Sequence, residues 1–525
     1  MKRPFRGLRL REGPQSAYDV VIAGAGVGGM VCGNLLADAG LRVLLVERHY
    51  MVGGYCSTFK RKGYTFDAAS HFYPLLGNPE SITGKLLQDL GVETGWVKMD
   101  PVDHFHFPDG SRFSVPADID TYLARLKTEF PLEAAGLDAF FDDVRQAYLL
   151  GLLYYFRGHF SSRLEPYREL SAQEVLNKHF KDPKLKLLLM ADSPHWGSPP
   201  SRTSFVFDAM LRLSYFLGNY YPRGGSQAFA DELAHRFEEK GGHILLNSPV
   251  QRILVENGRV CGIELETGPL RQRHRQEVRA DVVVSNADMR QTAEKWLPPE
   301  HQDPDYLGAL RRLRPTFPCF LTHMGLEGMD TETLRRAQGY YWNSWDAEQV
   351  GRDGLRFKIF VPTLFEPEMA PPGGHTVIVQ KVLDMDFEAV QDWQAHKADI
   401  ERYIMTHLED IIPGLSDRIV VKMSASAMTS HRFTLNHHGA MLGWEMAPDQ
   451  LGEDRPGIIG PVENLYFAGH WTQPGGGITP VIISAMQVAD RITQGAQAQV
   501  SAQDCSRQSD RVGAQAADMR MGDTD

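Results

Sequence analysis

Cysteine is scarce in this chain, and no stretch of it is both long and apolar. The five cysteines among 525 residues (Cys32, Cys56, Cys261, Cys319 and Cys505) are odd in number, widely spaced and without a C-x-x-C pair. That pattern argues against a disulfide framework or a metal site and suits a reducing compartment. No apolar run approaches the roughly 18–20 residues that a membrane-crossing helix requires. The longest candidate runs from Ala147 to Phe156 and reads as an interfacial or core segment. Basic charge is also in deficit: 55 Lys and Arg face 66 Asp and Glu, a net charge of −11. Nucleic acid is therefore not an expected partner. Lys2, Arg3, Arg6, Arg9 and Arg11 have no apolar stretch behind them, so no secretory leader is expected. The expected location is cytoplasmic, with peripheral contact on the inner face of a membrane.

What is present points to a large soluble-type fold. Hydrophobic residues make up 42% and charged residues 23%, and a chain of this length suggests two or three domains. Residues 18–54 read strand, glycine turn, helix, strand, loop. Tyr18 to Ala23 is the entering strand, and Gly24, Gly26 and Gly29, with Gly28 inside the turn, form G-x-G-x-x-G. Such a turn lets the backbone approach a pyrophosphate and aims the helix N-terminus at it. Glu47 ends the next strand, where a carboxylate grips adenosine ribose hydroxyls and repels a 2′-phosphate. Gly53 and Gly54, with Ser57 and Thr58 behind them, shift the choice from NAD to FAD. Arg48 is a further candidate near the ribose.

The rest of the chain reads more coarsely. Residues 118–215 are mainly helical, and residues 240–290 hold several strands, including a hairpin turned by Asn257-Gly258, which suits a type I′ turn. Residues 301–450 mix strand-like runs with a helix near 387–410. The expected architecture is α/β: a Rossmann-type FAD-binding domain of the glutathione-reductase kind, a mixed-sheet substrate domain and a helical lid. The FAD-binding parts span 18–110, 220–295 and 455–495, the lid 118–215 and the substrate domain 300–450, with flexible arms at 1–17 and 496–525.

Three blocks carry a resemblance to a known family: YDVVIAGAGVGGMVCG through GYTFDAASHF, YYPRGGSQAFADELAHRFEEKGGHILLNSPVQRILV with ADVVVSNAD, and NLYFAGHWTQPGGGITPVIISAMQVADRI. In order and spacing the chain resembles the phytoene desaturase, carotenoid isomerase and retinol saturase group of flavoproteins, relatives of the amine oxidases. The resemblance implies that Val250 and Asn286 lie at the adenosine half. It implies that Gly469 and His470 lie at the ribityl chain, and that Gly476, Gly477, Ile478 and Thr479 open a helix facing the flavin. Two departures stand out. His470 occupies a place that is often acidic, and Gly33 replaces an alanine in the first helix at a cost of about 1 kcal/mol in helix stability.

The resemblance further implies oxidoreductase chemistry on C–C or C=C bonds of a hydrophobic polyene, by desaturation, isomerisation or saturation. Aromatic-rich stretches at Phe140–Phe156 and Tyr215–Tyr221 offer material for an apolar tunnel or an ordinary helical core. His71 is the leading candidate proton donor or substrate positioner, ahead of His195, His431, His437 and His438. With one G-x-G-x-x-G in the chain, the flavin is expected to be re-reduced or re-oxidised by oxygen, a quinone, another protein or a transiently bound nicotinamide. An amine-oxidase-like enzyme and a non-catalytic FAD-binding escort are the alternatives.

Overall fold

The computed structural model describes residues 14, 17–268 and 272–495; the arms expected at the two ends fall almost wholly outside them. One seven-stranded sheet is built from three distant parts of the chain. Ala17–Ala23 lies at its centre, parallel to Val43–Val46 on one side and to His274–Ser285 on the other. His243–Leu245 and Leu465–Phe467 extend the parallel part. The hairpin Val250–Glu256 and Arg259–Thr267 adds an antiparallel edge. Its turn has φ +53° at Asn257 and +76° at Gly258, as a type I′ turn requires.

All four residues of Val43–Val46 are buried, as expected of a strand covered on both faces. One cover is the helix Val27–Asp38 packed on Ser226–Glu239, together with the helix 478–495. A Cβ on Gly33 would lie 3.1 Å from the Phe237 ring. Close packing of these two helices thus accounts for the glycine that helix propensity alone disfavours.

A second seven-stranded sheet runs in the order Ile419–Ala425, Cys319–Glu327, Gly374–Val382, Leu355–Phe360, Gly339–Trp342, Asp103–His106, Arg112–Val115. It is antiparallel except where Gly339–Trp342 meets Asp103–His106. The sequence division at residue 110 cuts the Asp103–His106/Arg112–Val115 hairpin, which belongs whole to this second sheet. Sequence pattern cannot see this, because the hairpin's partner strand lies more than 200 residues later.

Helices from Ile119–Glu129 to Phe205–Gly218 bury Phe140, Phe141 and Leu213 against Phe105, Tyr340 and Trp342 on one face of that sheet. Trp393–Ile411 covers the other face, through Ile404 and Leu408 against Phe320 and Phe357. The segment Ala147–Phe156 completes one helix and continues as a wide turn over Leu152–Phe156. Phe156 is buried there, whereas Leu149 and Leu153 are exposed.

Candidate flavin site and adjoining buried polar cluster

The turn after Ala23 can exist only with glycine. Gly24 has φ +108°, and a Cβ on Gly29 would stand 2.1 Å from the Gly24 carbonyl oxygen. Gly26 forms a bridge with Gly53, and a Cβ on Gly54 would lie 3.4 Å from the Gly26 Cα. Asn286 locks this corner. Its backbone N–H donates to Ala23 (2.9 Å) and its Nδ2 donates to the Gly24 carbonyl (3.2 Å). Its Oδ1 lies 2.6 Å from where a Cβ on Gly28 would be and 2.8 Å from that of Gly469. Three sequence blocks therefore meet at one carboxamide.

Glu47 is oriented by backbone amides: Ala25 N–H donates to Oε2 (2.9 Å) and His49 N–H to Oε1 (2.8 Å). Burial pushes its carboxyl up from the usual range, opposed by those two hydrogen bonds. Each oxygen keeps a lone pair for a further donor. The Glu47 carbonyl accepts from Ser248 N–H, which brings the Val250 strand alongside. Arg48 is held elsewhere, donating to the Arg432 carbonyl at 3.0 Å. Ser57 and Thr58 are buried, but the Thr58 N–H is already taken by Gln227 Oε1 (3.2 Å).

At the C-terminal block, Gly469 N–H donates to Ser484 Oγ (2.9 Å). The fully buried Arg455 guanidinium donates to the His470 and Thr472 carbonyls, at 2.7 and 3.0 Å. Burial, reinforced by the Arg455 charge, lowers the His470 pKa to about 3, so its ring is neutral. A Cβ on Gly476 would stand 2.3 Å from the Leu442 carbonyl oxygen. Beyond Gly477 the helix 478–495 begins; Ile478 packs into the first core, and Thr479 Oγ1 donates to the Pro74 carbonyl at 3.1 Å.

That Pro74 contact leads to His71. Its Nδ1 lies 3.0 Å from the Ala69 carbonyl, and since a carbonyl only accepts, Nδ1 carries the hydrogen. Nε2 is buried without a partner among the described residues. Burial and the nearby Lys358 charge lower the pKa to about 3. In this arrangement His71 Nε2 presents a lone pair and not a hydrogen. The ring packs on Phe72 and Phe360, with His195 6.2 Å away. His431, His437 and His438 pair instead with the Asn436 carbonyl, Arg290 and Glu388.

Sequence reading missed Lys358, Asp103 and Tyr340. Lys358 Nζ lies 2.8 Å from Asp103 Oδ2 and 3.1 Å from the Tyr340 hydroxyl. A usable signal was there: a lysine in the middle of the strand LRFKIF, at a position that the strand buries.

The glycine corner that no Cβ could enter, the amide-lined helix start and the acceptor-only Glu47 fit an extended dinucleotide. Joined to the C-terminal glycine run, they define an FAD-dependent oxidoreductase. The chain belongs to the flavin containing amine oxidoreductases, whose family model matches residues 27–493. It is 26% identical over 517 residues to a prolycopene isomerase from Arabidopsis thaliana, covering 92% of this chain and 84% of that one. It is 27% identical over 526 residues to an all-trans-retinol 13,14-reductase from Rattus norvegicus, covering 89% and 84%. Among solved structures, an oxidoreductase from Methanosarcina mazei superposes with TM-score 0.61 at 20% identity, covering 90% of this chain and 99% of that one. Cyclohexylamine oxidase from Brevibacterium oxydans gives 0.62 at 17%, covering 91% and 99%. Both likenesses concern the fold.

Proposed function

We propose that this flavoenzyme acts on the C=C bonds of a hydrophobic polyene, a carotenoid, another isoprenoid or a retinoid. The observation that carries this reading is the pair of relatives, a prolycopene isomerase and a retinol reductase, each aligned over about nine-tenths of the chain. When bound, a flavin supplies hydride transfer at N5. The chain's own part is to hold the adenosine half with Glu47 and Asn286, the ribityl side with Gly469 and His470, and the ring side with Gly476, Gly477, Ile478 and Thr479. Next to that site the chain offers aromatic surfaces: Phe72, Phe360 and Phe365, with Tyr221 packed on the last two. Such a wall suits an apolar chain and excludes water. Oxygen, a quinone, another protein or a transiently bound nicotinamide exchanges electrons with the flavin, and saturation of a C=C bond calls for a reducing partner among them.

Membrane contact belongs to the same proposal. Among the described residues no helix is long and apolar enough to cross a membrane. Leu149, Leu153 and Phe160 are 54%, 39% and 50% exposed, and the exposed Arg157 stands among them. Apolar side chains beside a cation suit shallow insertion into an anionic lipid surface.

The test is expression in cells that accumulate phytoene, prolycopene, lycopene or retinol, with pigment profiling and flavin spectra before and after substrate addition. Conversion of one polyene is expected. No change with any of them, together with hydrogen peroxide formed from amines, would establish the amine-oxidase reading instead.

A further inference from the structure

Five side chains from separate parts of the chain form one continuous hydrogen-bonded line behind the His71–Pro74 segment. Asp103 Oδ2 lies 2.8 Å from Lys358 Nζ, and Nζ lies 3.1 Å from the Tyr340 hydroxyl. The Tyr340 hydroxyl lies 2.7 Å from His195 Nε2, and His195 Nδ1 makes a short hydrogen bond with the Tyr215 hydroxyl. Asp103, Tyr215, Tyr340 and Lys358 are all buried, Lys358 to 1% exposure.

The line has a direction, set by what each group can donate. Asp103 also accepts the His104 N–H (2.9 Å), which favours its carboxylate form. Lys358 Nζ lies 3.9 Å from the Phe72 ring centroid and 4.3 Å from that of Tyr340, electron-rich surroundings that favour an ammonium. An ammonium only donates, so the Tyr340 oxygen accepts from Lys358 and turns its own hydrogen to His195 Nε2. A neutral imidazole with Nε2 accepting must carry its hydrogen on Nδ1. His195 therefore donates to the Tyr215 oxygen, and the Tyr215 hydrogen is the one in the line left free for another acceptor. Phe72 ties the line to the flavin side. Its ring lies 4.7 Å from His195 and 6.1 Å from Tyr215, and it is two residues from Pro74, which receives the Thr479 hydrogen bond.

We propose that this line is a proton supply, loaded at rest, whose delivering atom is the Tyr215 hydroxyl, and that it suits the site to reactions that begin by adding a proton to a C=C bond. The proposal rests on the polyene reading above and adds the sense of the reaction. The π pair of the C=C bond forms a C–H bond with the Tyr215 proton as its O–H bond breaks. His195 Nδ1–H passes to the phenolate oxygen, the Tyr340 proton to His195 Nε2, and one Lys358 proton to Tyr340, leaving a neutral amine. The cationic neighbouring carbon would take a hydride, which a reduced flavin supplies when bound, to give a saturated bond; or, after rotation, the protonated carbon gives its proton back along the line to the Lys358 amine, to leave a geometric isomer. At rest every member of the line already donates forward, so it has no vacancy for the proton that desaturation would release first, and desaturation is the disfavoured sense. Tyr215 is the catalytic member; His195, Tyr340 and Lys358 are positioning residues.

The test pairs a structural readout with a chemical one. In the full-length protein with 15N-labelled histidine, His195 should appear as the Nδ1–H tautomer. The charge-neutral double variant Asp103→Asn/Lys358→Met should lose that preference. Tyr215→Phe should keep full flavin content yet slow polyene reduction or isomerisation by about 100-fold, the scale of general-acid catalysis. In D2O the wild-type product should carry solvent deuterium at the protonated carbon, besides any that reaches the other carbon through the exchangeable flavin N5 hydrogen. An Nε2–H tautomer, a tautomer indifferent to the double variant, or a Tyr215→Phe enzyme as fast as wild type on a polyene overturns the proton line alone. A wild type that only desaturates overturns its direction. A wild type inert on every polyene overturns the functional reading and the delivery role together.

Discussion

Lys358 and Asp103 belong to strands that do not touch, yet their side chains meet at 2.8 Å inside the protein. The strand Gly339–Trp342 lies between them and pairs with both neighbours. Burial favours the neutral form of each, lowering the lysine pKa and raising that of the aspartate, while their mutual attraction opposes it. Removing one partner leaves the other as an uncompensated buried charge. Lys358→Met is expected to lower unfolding free energy by about 3–5 kcal/mol, and Asp103→Asn/Lys358→Met to recover much of that loss. Urea unfolding of the three proteins measures it; equal stability of the two variants would contradict the account.

The glycine corner predicts cofactor loss. Gly29→Ala places a methyl 2.1 Å from a backbone oxygen that cannot move without opening the turn. Flavin retained through purification, read from the visible absorbance relative to protein, is expected to fall about tenfold or more, equivalent to roughly 1.4 kcal/mol of lost binding. Gly40, where nothing lies within 4 Å of a Cβ, is the control site for flavin content, although its own φ of +83° makes a substitution there cost some stability.

Glu47→Gln keeps the shape of the side chain but removes its charge. A hydrogen bond to a charged group contributes about 1.5–3 kcal/mol, so the dissociation constant for FAD is expected to rise roughly 10- to 100-fold. Titration of apoprotein with FAD and with its adenosine-lacking counterpart FMN separates the roles. FAD affinity should weaken, and FMN affinity should not follow.

His323 supplies a pH test away from the flavin corner. It is 2% exposed, its Nε2 hydrogen-bonds the Asp67 carbonyl at 3.0 Å, and burial lowers its pKa to about 4. The unfolded chain takes up this proton near pH 6.5 and the folded protein does so only near 4. A depressed folded-state pKa gives stability that is present above about 6.5 and lost as pH falls toward 4. Relative to His323→Gln, the wild type is expected to lose about 3 kcal/mol between pH 7 and pH 4. A stability difference that stays constant over that range would refute it.

The exposed apolar group at the end of the helical layer predicts lipid dependence. Replacing Leu149, Leu153 and Phe160 together by serine should reduce co-sedimentation with anionic vesicles far more than it lowers the unfolding midpoint, because about half of each side chain is already exposed to water. Vesicle binding undiminished in the triple variant would remove this surface as the contact.

The flavin corner was legible in the sequence because it is local. Gly24, Gly26, Gly29 and Glu47 act through backbone geometry within one βαβ unit, so their spacing alone carries their meaning. Gly33, by contrast, reads as a defect by propensity and is explained only by Phe237, about 200 residues later, whose ring a Cβ there would approach to 3.1 Å. The buried polar line was not legible. Residues 103, 340 and 358 become neighbours through the register of a sheet that joins an early hairpin to strands more than 200 residues later, and helical segments packed on its face bring in residues 195 and 215. A two-residue periodicity says which face of a strand is buried but not which strand will lie across from it. Only tertiary structure decides that pairing, and with it the meeting of Lys358 with Asp103 and Tyr340.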